Sequence, residues 1–419
     1  MTRALIVFFL ALSVVEGCAT TAFAQSPGVI GEVRVHGNHT TPDADVLKII
    51  GDVVGKPATD QLIAEIQIKL ERSGRFDGVE VRKRFRSIDN PDDILLMVVI
   101  DEVPGIDDLD LTPGPMKKFW SSGMFMPILH SEDGYGFTYG LRTSFVDRLG
   151  SRSRVSVPIT WGGERQARVQ LERSFKSGAV ERVSGEFGVL RKENPHYEIG
   201  DRRIGYAARV ESAPTRWLRL GAGGRMDNVR FGDLDDRLSR IGGDVTVDTR
   251  VDPAFPRNAI HAVFGIDRLT FDAGDANQRK ADVRGYLGLF RQTVLAVRGL
   301  SITTNQPLPP YEHNLLGGEL NLRGYDAGYK AGDNLLAVSA ELRIPLTSPL
   351  DIGRFGVKAF VDAGTIYGVG EKLKDQHLVD RGIGGGVYLQ LTVVSLALDV
   401  ARSRAGDTRY HFGMGVTFK

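Results

Sequence analysis

Tyr410-His411-Phe412-Gly413-Met414-Gly415-Val416-Thr417-Phe418 alternates without a break. Tyr410, Phe412, Met414, Val416 and Phe418 share one face, and His411, Gly413, Gly415 and Thr417 share the other. A period of two is the signature of a strand, because successive side chains point to opposite faces. The same period recurs upstream. Val155, Val157, Ile159 and Trp161 alternate with Arg154, Ser156 and Thr160. Ala167, Val169 and Leu171 alternate with polar residues, as do Val245 and Val247, and Leu396, Leu398 and Val400. A soluble sandwich also alternates. Segments of about 9–11 residues favour a transmembrane antiparallel β-barrel, since that length crosses a bilayer at a tilt. Expected strands cover 124–130, 135–145, 152–161, 165–174, 181–191, 203–213, 216–226, 240–250, 259–271, 280–290, 293–303, 335–345, 355–365, 383–391, 394–402 and 408–418. That is about sixteen, an even number as such barrels require. Their connections alternate in length. Segments 192–202, 227–239, 304–334 and 366–382 are read as long loops at one end. Segments 214–215, 291–292 and 392–393 are read as short turns at the other.

Composition agrees. The net charge of +1 lacks the basic excess of a nucleic-acid binder, and 42% apolar residues is too high for a disordered chain. Glycine is the outlier: 50 of 419 residues, or about 12% against an average near 7%. Gly221, Gly223, Gly413 and Gly415 are expected to face a lumen, where no packed core must be filled.

Met1-Thr2-Arg3, the apolar run Ala4 to Val15 and Ala22-Phe23-Ala24 read as a secretory signal peptide over residues 1–24. The competing reading lipidates Cys18, but Glu16 stands where such signals want a small residue. Cleavage after Ala24 would leave a mature chain without cysteine, hence without disulfide or thiol chemistry. No later run of 18 uncharged apolar residues offers a spanning helix. An exported chain of this kind is periplasmic or an outer-membrane barrel.

Residues 28–104 read as a small α/β module in the order β-α-α-β-β. A strand from Val29 to His36 ends at the turn Gly37-Asn38. A helix is expected from Thr41 as N-cap with Pro42 in the first position, and another from Thr59 to Ser73 with Gly74 ending it. Strands Gly78–Arg86 and Ile94–Glu102 follow. The stretch Leu70-x-x-Ser73-Gly74-x-Phe76-x-x-Val79 and the close Val99-x-x-Glu102-x-Pro104 resemble a POTRA domain. That resemblance implies handling of extended substrate chains by strand addition at a sheet edge. Arg82, Lys83, Arg84 and Arg86 read as a charged, solvated edge or as a contact for acidic partners.

The barrel segment, 120–419, carries its own motifs. The longest loop contains Gly317-Gly318-Glu319-Leu320-Asn321-Leu322-Arg323-Gly324-Tyr325. The next two strands carry Ser339-Ala340-Glu341-Leu342-Arg343 and Ala359-Phe360-Val361-Asp362-Ala363-Gly364. Together these resemble the BamA/TamA-type outer-membrane assembly proteins, also found as bacterial surface antigens. The resemblance implies that the tip Leu322, Arg323, Gly324, Tyr325 of loop six folds into the lumen, where Arg323 meets Glu341 and Asp362. Parity agrees: Glu341 is in phase with Ser339 and Arg343, and Asp362 with Lys358 and Gly364. The string Val283-Arg284-Gly285-Tyr286 matches the tip too, but lies inside an alternating segment and is read as strand. Gly413, Gly415 and Phe418 resemble the C-terminal signal by which barrels are recognised for assembly, with Lys419 as a departure. A second departure is one POTRA domain where the best-known members have several.

The resemblance implies a location in the bacterial outer membrane with the POTRA domain in the periplasm. The implied partners are outer-membrane lipid, unfolded barrel or secreted polypeptide chains, and periplasmic or lipoprotein partners at the POTRA domain; nucleic acid is not among them. The implied work is insertion of β-barrel proteins or translocation of polypeptides. The alternatives are a dedicated transporter of the two-partner kind and a passive pore or structural surface antigen. No G-x-S-x-G or H-E-x-x-H is present, so no enzyme, cofactor or metal is expected. Gly382-x-Gly384-Gly385-Gly386 is read as glycine-rich strand rather than a phosphate loop.

Overall fold

The structure is a computed structural model that describes residues 28–86, 90, 92–103, 123–147, 149–150, 152–175, 178–349, 353–371, 373, 379–391 and 394–416. The expected signal peptide with Cys18, and Phe418, lie outside the described residues.

The N-terminal module comprises β1 (Val29–His36), α1 (Asp43–Ile50), α2 (Asp60–Arg72), β2 (Phe76–Phe85) and β3 (Asp93–Glu102). Its sheet runs in the order β1-β3-β2, with β1 parallel and β2 antiparallel to the central β3. Val46 and Ile50 of α1 and Ile63, Ile66 and Leu70 of α2 pack on Ile94, Leu96, Val98 and Ile100. Pro42, not Thr41, holds the N-cap of α1, so that helix starts one residue later than the sequence reading places it. Thr59 does cap α2, accepting from the Leu62 amide at 3.2 Å.

β3 is apolar on both faces, as a strand buried on both sides must be. Leu95 and Met97, each 2% exposed, lie opposite the helices. Leu95 lines a small cavity with Phe255, Arg354 and Leu391 of the barrel. Arg354 Nη2 donates to the Phe85 carbonyl at 2.5 Å, and Arg216 lies 3.2 Å from Asp60. The basic cluster of β2 and of Arg86 just after it is paired within the chain. Arg82 faces Glu80 at 2.5 Å, Lys83 faces Asp60 at 3.0 Å, Arg84 faces Asp252 at 3.8 Å and Arg86 faces Asp93 at 2.8 Å.

Glu102 ties the end of β3 to the turn after β1. Its carboxylate accepts the amides of Thr41 at 2.7 Å, Thr40 at 2.9 Å and His39 at 3.1 Å. Partial burial pushes its pKa up, but these hydrogen bonds outweigh that and hold it below the usual carboxylate value. A lowered pKa stabilises the fold above the unfolded value, and the gain is lost as pH falls through the folded one. Glu102→Gln is therefore expected to cost about 1 kcal/mol at pH 7, from loss of charge-assisted bonds. Hydrogen exchange at the His39–Thr41 amides of the full chain measures it. The gap between variant and parent should close below about pH 4; a gap independent of pH would refute this account.

The barrel strands are β4 (Gly123–Glu132), β5 (Gly136–Val146), β6 (Ser153–Gly162), β7 (Glu164–Ser174), β8 (Arg182–Asn194), β9 (Ile199–Thr215), β10 (Leu218–Phe231), β11 (Leu234–Asp248), β12 (Ala259–Phe271), β13 (Gly274–Gly288), β14 (Val294–Thr304), β17 (Asn334–Thr347), β18 (Arg354–Tyr367), β19 (Asp380–Gln390), β20 (Val394–Ser403) and β21 (Thr408–Val416). Two short strands, β15 (Asn314–Leu316) and β16 (Lys330–Gly332), form a hairpin inside the loop between β14 and β17. The sixteen long strands close in sequence order, with β21 meeting β4. Val283–Tyr286 falls inside β13. Phe187, Tyr206, Ile241, Phe264, Ile383 and Phe412 point outward and are exposed. No helix among the described residues is long and apolar enough to cross a membrane. A closed ladder of strands is the other architecture that satisfies backbone groups in lipid.

Two of the four long loops expected at the far end are instead strand. β8 runs to Asn194 and β9 starts at Ile199; β10 runs to Phe231 and β11 starts at Leu234. These strands rise past the apolar band because their inner faces have something to bury. Val229, Phe231, Leu238, Leu269 and Phe271 pack around Leu308 and Tyr311 of the loop between β14 and β17. The long loop at 305–333 remains; β18 ends at Tyr367 and β19 starts at Asp380, with 372 and 374–378 between them outside the described residues.

Candidate functional site: a loop tip held in the barrel lumen

The loop after β14 leaves the tall wall, crosses the lumen and returns to β17. Its first half is anchored to β9–β11. Glu312 accepts from Arg203 at 2.8 Å and from Arg240 at 2.5 Å, and Tyr311 donates to Asp236 at 2.5 Å. Hairpin β15–β16 then carries residues 317–329 inward. The Gly318 amide donates to the Tyr325 carbonyl at 3.0 Å, and the Gly317 amide to Asn321 Oδ1 at 2.9 Å, which folds the tip back on itself. Leu316, Leu322 and Tyr325 pack with Leu300, Leu335 and Ala337 as the apolar side of the tip.

Arg323 is 6% exposed and uses nearly every donor it has. Nε donates to Asp362 Oδ2 at 2.7 Å and Nη2 to Oδ1 at 2.9 Å, a two-pronged grip. Nη1 donates to Glu341 Oε2 at 2.5 Å and to Asp399 Oδ2 at 3.3 Å. The backbone amide of Arg323 adds a bond to Asp362 at 3.1 Å. The guanidinium sits over the Phe360 ring, 3.3 Å from its centroid. Arg343 also donates to Glu341, at 2.7 Å, and Lys358 faces Asp399 at 2.9 Å. Three cations thus meet three carboxylates, which is how buried charge is tolerated.

The tip also touches the strands beside the β21–β4 join. The Gly324 amide donates to His411 Nε2 at 2.9 Å, and His411 Nδ1 lies 2.6 Å from Asp133. Gly324 takes φ +95°, a left-handed conformation that suits glycine. The Tyr325 hydroxyl donates to the Arg381 carbonyl at 3.3 Å. β19 clears the space. A Cβ at Gly382 would overlap the Arg323 carbonyl, so the glycine-rich run of β19 is a trough for the loop. Gly413 lies beneath the Glu319 carboxylate, and Gly415 pairs with His130 across the join.

The structure therefore brings Arg323, Glu341 and Asp362 together and sets Leu322, Gly324 and Tyr325 around them. Gly413 and Gly415 fall on β21 at the join. Ser339, Phe360, Asp399 and His411 belong to the same cluster and were not singled out from sequence. Parity puts Asp399 and His411 on the lumen face, but only the landing point of the tip selects them.

Comparison with known proteins follows the same division. The model described as the Omp85 superfamily domain matches residues 135–418. The POTRA model, described as a surface antigen variable number repeat, matches residues 28–103. Curated proteins contain no match to the sequence. Among solved structures, BamA from Haemophilus ducreyi lacking POTRA domains 1–3 is similar in fold, with TM-score 0.63 and 16% identity over 93% of this chain and 84% of that one. CdiB from Escherichia coli is similar with TM-score 0.53 and 14% identity over 94% and 77%.

Proposed function

We infer the activity from one premise: the chain belongs to the Omp85 superfamily, whose domain model covers more than half of it. It is an outer-membrane barrel with its POTRA domain in the periplasm. We propose that it assists insertion of β-barrel proteins, and that it does so by lending an unpaired strand edge to an incoming chain.

The observation that carries this reading is the join between first and last strands. β4 pairs ten residues with β5, and β21 pairs nine with β20. Between β21 and β4, only Met414↔Ser131 and Gly415↔His130 pair among the described residues. All nine described residues of β21 pair with β20 but two pair with β4, so among the described residues this is the most thinly paired line in the wall. Pro127, in β4, lacks a donor and suits an edge strand. An edge with free backbone groups is a template for another strand.

A passive pore fits less well, because the loop tip occupies the lumen. A dedicated secretion transporter is the reading that experiment must separate. Depletion of the protein followed by outer-membrane proteomics does so. The expected result is loss of many barrel proteins. Loss of a single secreted protein would assign a dedicated transporter, and an unchanged profile would overturn both.

A further inference from the structure

The outer face of the barrel carries a row of arginines that the loop, the join and the POTRA domain leave unused. Arg165 on β7 pairs in register with Arg191 on β8. Arg191 pairs with Arg202 on β9, and Arg202 with Arg230 on β10. Register partners have Cβ atoms about 5 Å apart, so four cations stand side by side on adjacent strands. All four are exposed. They face outward, since they share parity with exposed Val169, Val189, Phe187, Tyr206 and Met226, whereas Glu186, Arg203 and Asp227 take the lumen side. Arg230 is neutralised by Asp235 at 2.7 Å. Among the described residues, Arg165, Arg191 and Arg202 make no hydrogen bond or ion pair with the protein.

The row has a definite depth. It sits at the far ends of β7–β10, directly above the apolar band. On the neighbouring strands the same level carries Tyr139 paired with Trp161, both about half exposed. Aromatic side chains at the rim of a barrel mark the headgroup region. On β7–β10 arginine replaces that girdle. Like charges directly opposite one another are destabilising, and a merely solvated surface would intersperse the signs. Arg202 and Arg230 also line an open groove with Ile204, where Asp235, Asp236 and Asp272 face Arg230 and Arg237, so the unpaired cations of the row are those on the β7–β9 side.

We propose that this row is a binding site for a phosphate-bearing lipid of the outer leaflet. The guanidinium forks of Arg165, Arg191 and Arg202 would hold its phosphates, and the band below would take its acyl chains. Planar, bidentate donors are the groups suited to phosphate, and the neighbouring headgroups supply the anion that the protein does not.

The test uses the full chain in zwitterionic detergent micelles, titrated with diphosphorylated lipid A and followed by native mass spectrometry. Lipid A is expected to bind at least tenfold more tightly than its dephosphorylated form or phosphatidylcholine. Millimolar inorganic phosphate should not compete; competition would mean a free-anion site and overturn the lipid assignment. The double variant Arg191→Gln/Arg202→Gln should bind lipid A roughly 30-fold more weakly. Arg173→Gln, at the opposite end of β7, should bind as the parent does. Compact migration of unheated protein reports that each variant is folded. If the double variant is not, Arg191→Gln alone should still weaken binding roughly fivefold. Parent-like affinity in a folded variant, or equal binding of phosphatidylcholine, would refute the site.

Discussion

Replacing Arg323 by alanine is expected to leave a closed barrel that comes apart at lower temperature, at a cost of about 3 kcal/mol. The three carboxylates do not lose equally. Glu341 keeps Arg343 at 2.7 Å and Asp399 keeps Lys358 at 2.9 Å. Asp362, 1% exposed, keeps the Ser339 hydroxyl at 2.7 Å and the backbone amide of residue 323 at 3.1 Å, but loses its paired cation. A buried carboxylate stripped of its cation either holds an uncompensated charge or takes up a proton, and both cost free energy. The tip then loses its polar anchor while Glu312 still holds the base of the loop. Two measurements follow. The temperature at which unheated, compact protein converts to the extended form should fall. Protease should cut within 305–333 faster than in the parent. Arg323→Lys should fall between the two, because lysine restores the charge without the fork. Asp362→Asn added to Arg323→Ala should recover part of the loss, a coupling expected only of direct partners. Unchanged melting and unchanged protection in Arg323→Ala would show that the tip is held by its apolar contacts alone.

The number of strands was legible in the sequence because the period of two survives wherever one face meets lipid and the other a lumen. The strand ends were not. At 192–202 and 227–239 the outward residues turn charged, which reads as loop; yet Arg191, Arg202 and Arg230 stand on strands that continue above the apolar band. Hydropathy cannot separate a charged strand end from a turn when the packing that extends it lies in a distant loop, here Leu308 and Tyr311. The cluster around Arg323 was legible in part for the same reason. Parity orients Glu341 and Asp362, but the nearness of Asp399 and His411 depends on where the tip lands. The expectation that lumen glycines face empty space needs correcting. Gly413 faces Glu319, and Gly382 faces the Arg323 backbone, so these positions are bare because the loop fills them. Gly221 and Gly223 instead face Arg209 of the neighbouring strand, so the loop accounts for the glycines of β19 and β21 and not for those of β10.

The join between β21 and β4 makes the largest functional prediction. Ser131 and Met414 are register partners at the join. Partners of this kind bring Cβ atoms to about 4.5–5.5 Å, close enough for a disulfide after a small shift. Ser131→Cys/Met414→Cys, oxidised, is expected to stabilise the closed wall by about 3–5 kcal/mol, since the bond closes a loop of most of the barrel. It should also abolish rescue of a depleted strain, with function returning on reduction. The single cysteine of the sequence is Cys18, so a Cys18→Ser background leaves the new pair without a competing thiol. The lock separates two ways in which the tip cluster contributes. If the tip acts only by holding the wall together, the lock should raise the melting of Arg323→Ala toward the parent and leave activity absent. If the edge of β4 must be free for substrate, the lock must inactivate the parent even though it stabilises it. Full activity in the oxidised protein would mean that strand exchange at the join is not how the chain works. Stability gained together with activity lost is the outcome that a template edge requires, because the same backbone groups cannot serve both β21 and an incoming strand.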